Sequence, residues 1–178
     1  MTRYDYCKLS CPAQAMALKP PTPMSKSLSD CRIDERWISG SYIVSGVYTI
    51  PVSRVDENVL QNNLPALFSR LREKRVRKWP RGICGYYAIP IYIGNCFSLD
   101  AVQWVQSRPK YRYAMWHEPV LYDRAKNLAF TNTKWGMYGL AFREYLSERT
   151  FDSLAYLAKS DNHRTFPSVN GQIIEHSL

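Results

Sequence analysis

The sequence predicts a single α+β domain, with a small mixed or antiparallel sheet of about four strands packed against about four to five helices. The length of 178 residues suits one domain with one core. Apolar residues make up 46% of the chain and charged residues 22%, as in ordinary globular proteins. Stretches whose apolar residues repeat every two positions, as in strands, also alternate along the chain with stretches of helical spacing.

Composition divides the chain into three parts. Residues 1–30 carry four prolines with Ser and Lys around them, which predicts a Pro-rich N-terminal arm. Residues 31–160 hold the periodic patterns and form the expected α+β globular domain. Residues 161–178 are polar, and we expect a loosely held C-terminal tail there.

A strand followed by a helix is predicted first. Residues 38–52 are rich in Ile, Val, Tyr and Thr, which favour a strand. Ser53 can cap the helix that follows, and Pro65 either restarts a second helix or kinks the first. Four leucines with helical spacing form the buried stripe of this region: Leu60, Leu64, Leu67 and Leu71.

A second strand and helix follow. Residues 83–93 alternate with a period of two, as expected of a strand. Because Pro90 has no backbone N–H, it predicts that this strand lies at an edge of the sheet or at a bulge. An edge there would permit a homodimer by sheet extension, or the proline would block it. Ser98 is the expected cap of a short helix.

The last part of the domain predicts a hairpin and two helices. Residues 113–122 and 128–132 flank a five-residue loop, which is typical of an antiparallel hairpin. Helical spacing predicts one helix over residues 137–145 and another that is capped by Thr150.

Charge and hydropathy limit the partners and the compartment. The formal charge of +9 favours an acidic partner: nucleic acid, an anionic membrane surface or an acidic protein. No apolar run approaches the ~20 residues that span a bilayer, and the first residues lack a signal-peptide core, so we expect no integral membrane association. The five unevenly spread cysteines indicate reduced thiols, and we expect a cytoplasmic protein.

One basic segment is the candidate binding site. It contains Arg70, Arg72, Lys74, Arg75, Arg77, Lys78, Trp79 and Arg81. Such cations could neutralise phosphates or carboxylates while Trp79 stacks on a base. The same cations are also favoured at a helix C-terminus by the helix dipole, with no ligand at all.

No catalytic, metal or cofactor site is assigned. His117 and Glu118 are neighbours in a predicted strand and therefore point to opposite faces, and the HExxH zinc motif fails because position 121 is Leu121. Cys84 sits in a strand, whereas activated thiolates favour helix N-termini. The glycines match neither GxGxxG nor a phosphate loop.

Three functions remain as hypotheses. The first is a small non-catalytic interaction protein that presents an aromatic-rich sheet face and the basic segment 70–81 to an acidic partner, first of all a protein. The alternative is a nucleic-acid-binding protein that uses the same segment. The second alternative is a small enzyme centred on His117 with Glu118, Asp123 or Cys84.

Overall fold

The computed structural model describes residues 30–38, 40–74, 84–107, 110–112, 115–132, 140–163 and 165–170. The strands are β1 (Asp30–Ile38), β2 (Ser41–Pro51), β3 (Cys84–Gly94), β4 (Lys110–Arg112), β5 (Met115–His117), β6 (Val120–Asp123), β7 (Leu128–Phe130) and β8 (Ser168–Val169). The helices are α1 (Glu57–Lys74), α2 (Leu99–Gln106) and α3 (Leu140–Ser160). None of the helices in these ranges is long and apolar enough to cross a membrane.

The strands form one mixed sheet in the order β1-β2-β3-β6-β7-β8, with β4 and β5 off this path. β2, β3 and β6 are parallel, while β1 and β7 run antiparallel to their neighbours β2 and β6. β5 also pairs with β3 in parallel, and β4 pairs with β5. β5 and β6 pair with β3 in the same register before and after residues 118–119. They therefore form one line of strand beside β3, which is interrupted at these two residues.

Helices cover both faces of this sheet. Along β2 and β3, alternate side chains enter two separate cores. Tyr48 and Tyr92 pack under α1 and α2, whereas Val47 and Ile91 pack under α3. The protein is therefore an α/β structure of three layers, and the strands at its centre are buried on both sides.

The predicted fold class is wrong in its layers and in its count of elements. The described residues form three helices and an eight-stranded mixed sheet, not about four strands with four to five helices. Parallel strands joined by α1 and α2 replace the expected α+β arrangement. The tyrosines expected on an exposed sheet face are core residues, since Tyr48, Tyr87, Tyr92 and Tyr122 are almost fully buried.

β1 is one of the strands that the sequence did not predict. Its sequence DCRIDERWI is rich in charge, so it has little strand propensity of its own. It forms because β2 offers an apolar partner in register over nine residue pairs. Gly40, with φ of 78°, makes the turn between them, in a conformation that suits glycine. Charged residues are common on edge strands, because one side of such a strand faces water.

Two helices differ from their predictions in where they start or in being continuous. α1 starts after Asp56, whose Oδ1 accepts the Val59 N–H at 2.9 Å, and not after Ser53. It continues through Pro65, which is exposed, so water can satisfy the carbonyl that the proline leaves free. α3 is one helix, because no Gly or Pro interrupts it and Thr150, the expected cap, is buried in its middle.

Pro90 was expected at an edge or at a bulge, but β3 lies between β2 and the line of β5 and β6, and its register against that line is unbroken. The Glu118 N–H donates to the Ala88 carbonyl, so strand alternation aims the Pro90 nitrogen at the same neighbour. There the ladder is already interrupted at residues 118–119. The proline is tolerated because its nitrogen, which has no hydrogen to donate, faces this interruption. Because β3 has a neighbour on both sides, it offers no edge for a homodimer.

Other predictions are confirmed. Ser98 caps α2 and accepts the Ala101 N–H at 3.1 Å. β6 and β7 form the expected antiparallel hairpin.

The range 161–178 was expected as a loosely held polar tail. Within it, Phe166 and Val169 are buried and β8 pairs with β7.

Gly46 sets the distance between α1 and β2. A Cβ on Gly46 would lie 2.5 Å from Leu71 Cδ2, so we expect Gly46→Ala to lower the free energy of unfolding by about 1–3 kcal/mol. Adding Leu71→Ala should relieve the clash, so the double variant should lose less than the sum of the two single losses. Urea unfolding measures all four proteins. Additive losses would show that the two residues are not in contact.

Candidate functional site

The basic segment begins on the last turns of α1. Arg70, Arg72 and Lys74 belong to this helix, and the Arg72 side chain is exposed. The remaining candidates lie outside the described residues: Arg75, Arg77, Lys78, Trp79 and Arg81. The structure therefore places the start of the predicted site.

Positive charge is unevenly distributed along the chain. The described residues contain 13 Lys and Arg and 13 Asp and Glu, so the formal charge of +9 belongs wholly to the other segments. Four of those cations follow α1 directly, within residues 75–81. The described residues thus carry no net formal charge, and the basic segment continues in sequence from the end of α1.

α1 ends at the amino ends of the parallel strands. The Tyr48 hydroxyl donates to the Leu67 carbonyl, and Leu71 lies over Gly46, two residues nearer to the start of β2. Four helical residues rise about 6 Å and two strand residues about 7 Å, so α1 runs opposite to β2. The same spacing places Lys74 level with Val44, near the amino end of β2.

Trp37 lies at this same end of the sheet. It stands opposite Tyr42 in the pairing of β1 with β2, and the two rings are 5.5 Å apart. The Trp37 side chain is 48% exposed. Tyr42 belongs to the core under α1, so Trp37 is on the face of the sheet that α1 covers. An exposed indole therefore lies at the end and on the face of the sheet where the basic helix ends.

On the opposite flank, α1 touches β5. Arg72 Nη2 donates to Met115 Sδ at 3.0 Å. We call Trp37, Arg70 and Arg72 the amino-end surface. Trp, Tyr and Arg are the residue types that dominate the energy of protein interfaces, and two of them occur here.

His117 is buried against α2. Its side chain is 1% exposed, and its ring meets the edge of Trp104 at 5.5 Å. Neither ring nitrogen has a hydrogen-bond partner within the described part of the chain. Burial lowers the pKa of His117 to about 3, so the imidazole is neutral at pH 7. It behaves as a core residue.

Glu118 is buried on the opposite face, toward α3. It is 5% exposed, and burial raises the pKa of its carboxyl to about 8. Its nearest titratable neighbour is Tyr87, which stacks on Trp116 at 4.6 Å. Burial, and then the charge of Glu118, raise the pKa of the Tyr87 phenol. Glu118 is therefore largely protonated at neutral pH.

These groups do not form one site. The sheet separates His117 from Glu118, as their adjacent positions on one strand predicted. Cys84 pairs with Tyr42, while His117 pairs with Ala88, four residues further along β3, so about 13 Å of strand separates the two positions. Asp123 is held by its own turn, where its Oδ1 accepts two backbone N–H groups. A His117-centred enzyme finds no support in this geometry.

The carboxyl ends of β2 and β3 are closed. α/β proteins commonly bind ligands at the carboxyl ends of their strands. Here the Val52 N–H donates to the Ile93 carbonyl, and a Cβ on Gly94 would lie 2.5 Å from the Val52 oxygen. Side chains of Asp56 and Ser98 cap the two nearby helices. No group of three or more metal-binding side chains occurs among the residues that the structure describes.

Comparison of the chain with protein-family models, with curated proteins and with solved structures gave no match. The candidate site therefore rests on the geometry of the chain itself.

Sequence reasoning missed Trp37. The residue follows a run of charged residues in a stretch where no strand was expected. Its signal was the alternation of Ile33, Glu35 and Trp37 with Asp34 and Arg36, which is the period of a strand with two different faces. That pattern is visible only once the charged positions are accepted as an edge strand.

The titration of Glu118 has a testable effect on stability. The native carboxyl keeps its proton up to about pH 8, whereas the unfolded one loses it near 4.5, so this group reduces stability as the pH rises through that range. Glu118→Gln cannot ionise. We expect the free energy of unfolding of the variant, relative to wild type, to rise by roughly 1.4 kcal/mol per pH unit there. Urea unfolding from about pH 5 to 8 measures it.

Glu148→Gln provides the matched control, because it makes the same chemical change at an exposed position of α3. A difference between the Glu118→Gln variant and wild type that stays constant with pH would contradict the burial of an ionisable carboxyl at position 118.

Proposed function

We propose that this protein is a small non-catalytic interaction protein, and that it binds an acidic protein partner through the amino-end surface and the basic segment 70–81 that begins there. The observation that carries the proposal is the place where α1 ends: the basic helix terminus lies at the same end and on the same face of the sheet as the exposed Trp37. Cations steer and orient an acidic partner, and the indole supplies apolar contact area.

The separation of charge supports this function. The described residues carry no net formal charge and the remaining segments carry all of it, so acidic surfaces are attracted first to those segments. The other two large exposed apolar side chains of the described chain lie elsewhere. Leu99 starts α2 at the carboxyl ends of the strands, and Tyr156 lies on α3 with the Arg32 guanidinium 4.2 Å from its ring centre. Trp37 is the one beside the basic helix end.

A protein partner is favoured over nucleic acid by the covered sheet. Proteins that bind single strands stack bases on exposed aromatic side chains, often on an open sheet face. Both faces of the described sheet are packed under helices, and its tyrosines are buried. The remaining route to nucleic acid is phosphate binding by the basic segment, which is the alternative function.

The cytoplasm is the compartment we propose. It is supported by the odd number of unevenly spread cysteines, which suits reduced thiols.

The proposal is tested with labelled poly-L-glutamate and with single- and double-stranded oligonucleotides of similar charge, by fluorescence anisotropy at low and near-physiological salt. We expect poly-L-glutamate to bind, and the variant Arg70→Glu/Arg75→Glu/Arg77→Glu/Lys78→Glu to lose at least about tenfold in affinity. Trp37→Ala should weaken binding at both salt concentrations, because the contact of an indole is not screened.

A variant with the same change of charge elsewhere is the control: Arg54→Glu/Lys126→Glu/Arg143→Glu/Lys159→Glu, all at exposed positions. Equal losses in the two charge-reversed variants would mean that net charge alone drives binding, and the proposed site would be wrong. Tighter binding of oligonucleotides than of poly-L-glutamate would favour the nucleic-acid alternative.

A further inference from the structure

Arg72 of the amino-end surface is held by a sulfur atom. Its Nη2, on α1, donates to Met115 Sδ, on β5, at 3.0 Å. The three ion pairs found among the described residues do not include Arg72. A thioether sulfur is a weak acceptor and carries no charge. The contact therefore orients the Arg72 guanidinium without neutralising it, so the guanidinium can still bind a carboxylate of the partner.

Solvent reaches this contact. The Arg72 side chain is exposed and the Met115 side chain is half-buried, on the flank where α1 meets β5. Met115 stands opposite Tyr86, which packs against the core under α1, so the methionine lies on the face of the sheet that α1 covers. A methionine that water reaches is also open to peroxides, which convert its thioether into a sulfoxide. Met115 is therefore placed for oxidation beside a cation of the binding surface.

Oxidation changes what this side chain offers to Arg72. In the reaction with hydrogen peroxide, a sulfur lone pair attacks one peroxide oxygen, so that an S–O bond forms and the O–O bond breaks. The sulfur loses two electrons, and the second oxygen is reduced and leaves, with both protons, as water. The product, methionine sulfoxide, is polar where the thioether was apolar. Its oxygen accepts the guanidinium N–H more strongly than the sulfur does, because a thioether is only a weak acceptor.

We propose that Met115 is a site of reversible oxidation that regulates the amino-end surface. The sulfoxide oxygen holds the Arg72 guanidinium on β5 and so competes with a carboxylate of the acidic partner. Oxidation by a peroxide therefore weakens binding, and enzymatic reduction of the sulfoxide restores it. This inference rests on the proposed function, because it concerns the surface that the acidic partner contacts.

The test uses the full chain and labelled poly-L-glutamate, by anisotropy at near-physiological salt. The chain is oxidised with dilute hydrogen peroxide and then treated with dithiothreitol, which reduces cysteine disulfides and sulfenic acids but leaves methionine sulfoxide. Mass spectrometry of its peptides should find one added oxygen on Met115. We expect oxidation to weaken binding about fivefold, the loss of one modest hydrogen bond, and methionine sulfoxide reductase to restore it.

Two variants connect this loss to the contact. Met115→Leu, a substitution of similar volume, should show the same affinity before and after oxidation. It also reports any effect of the other four methionines, which lie outside the described residues. Arg72→Gln should lose about fivefold before oxidation and nothing more afterwards. Its matched control, Arg143→Gln, removes the same charge from an exposed position of α3 and should stay sensitive to oxidation.

Each other outcome overturns a separate statement. If Met115→Leu loses as much affinity on oxidation as the unaltered chain, Met115 is not the regulatory site and the proposed function stands. The same follows if Met115 gains no oxygen, or if the oxidised chain binds as before. If Arg72→Gln stays sensitive to oxidation, the sulfoxide does not act through Arg72. If the unaltered chain does not bind poly-L-glutamate before oxidation, the proposed function fails and its regulation fails with it.

Discussion

The close packing of α1 on β2 is the constraint on which the rest of the structure depends. Gly46 lets Leu71 approach the sheet, and the Tyr48 hydroxyl donates to the Leu67 carbonyl one helical turn earlier. These contacts fix the direction of α1 and the level at which it ends. The basic segment therefore begins at the amino ends of the parallel strands, where α1 contacts β5 and where Trp37 also lies. The location of the proposed surface is a consequence of core packing.

The opposite face shows that buried polar groups in this protein hold layers together. The Tyr145 hydroxyl of α3 donates to Asp34 Oδ2 at 2.9 Å and lies 2.6 Å from the Ser45 hydroxyl, which joins α3 to β1 and β2. His117 and Glu118 occupy the middle of the sheet, one on each face, and burial keeps both uncharged at neutral pH. Strong shifts of pKa often mark active sites, but here the shifted groups do not converge.

The sequence predicts elements better than it predicts their layers. The leucine stripe of α1 and the Ser98 cap of α2 are local patterns, and the structure contains both. β1 was missed because it forms a strand by pairing with β2. Its own charged sequence has little strand propensity and does not indicate that pairing. Burial of β3 on both faces was signalled by apolar residues at both sets of alternate positions, a pattern of central parallel strands. The contact of α1 with β5 through Arg72 and Met115 has no local signal, since it depends on the fold.

Amide hydrogen exchange of the full chain, with and without poly-L-glutamate, tests the central claim most directly, because it locates the contact without any substitution. The account predicts slower exchange in the last turns of α1 and around Trp37 in β1, with unchanged exchange in α3 and at the carboxyl ends of β2 and β3. Protection confined to α3 or to those carboxyl ends would contradict a binding surface at the amino ends of the strands.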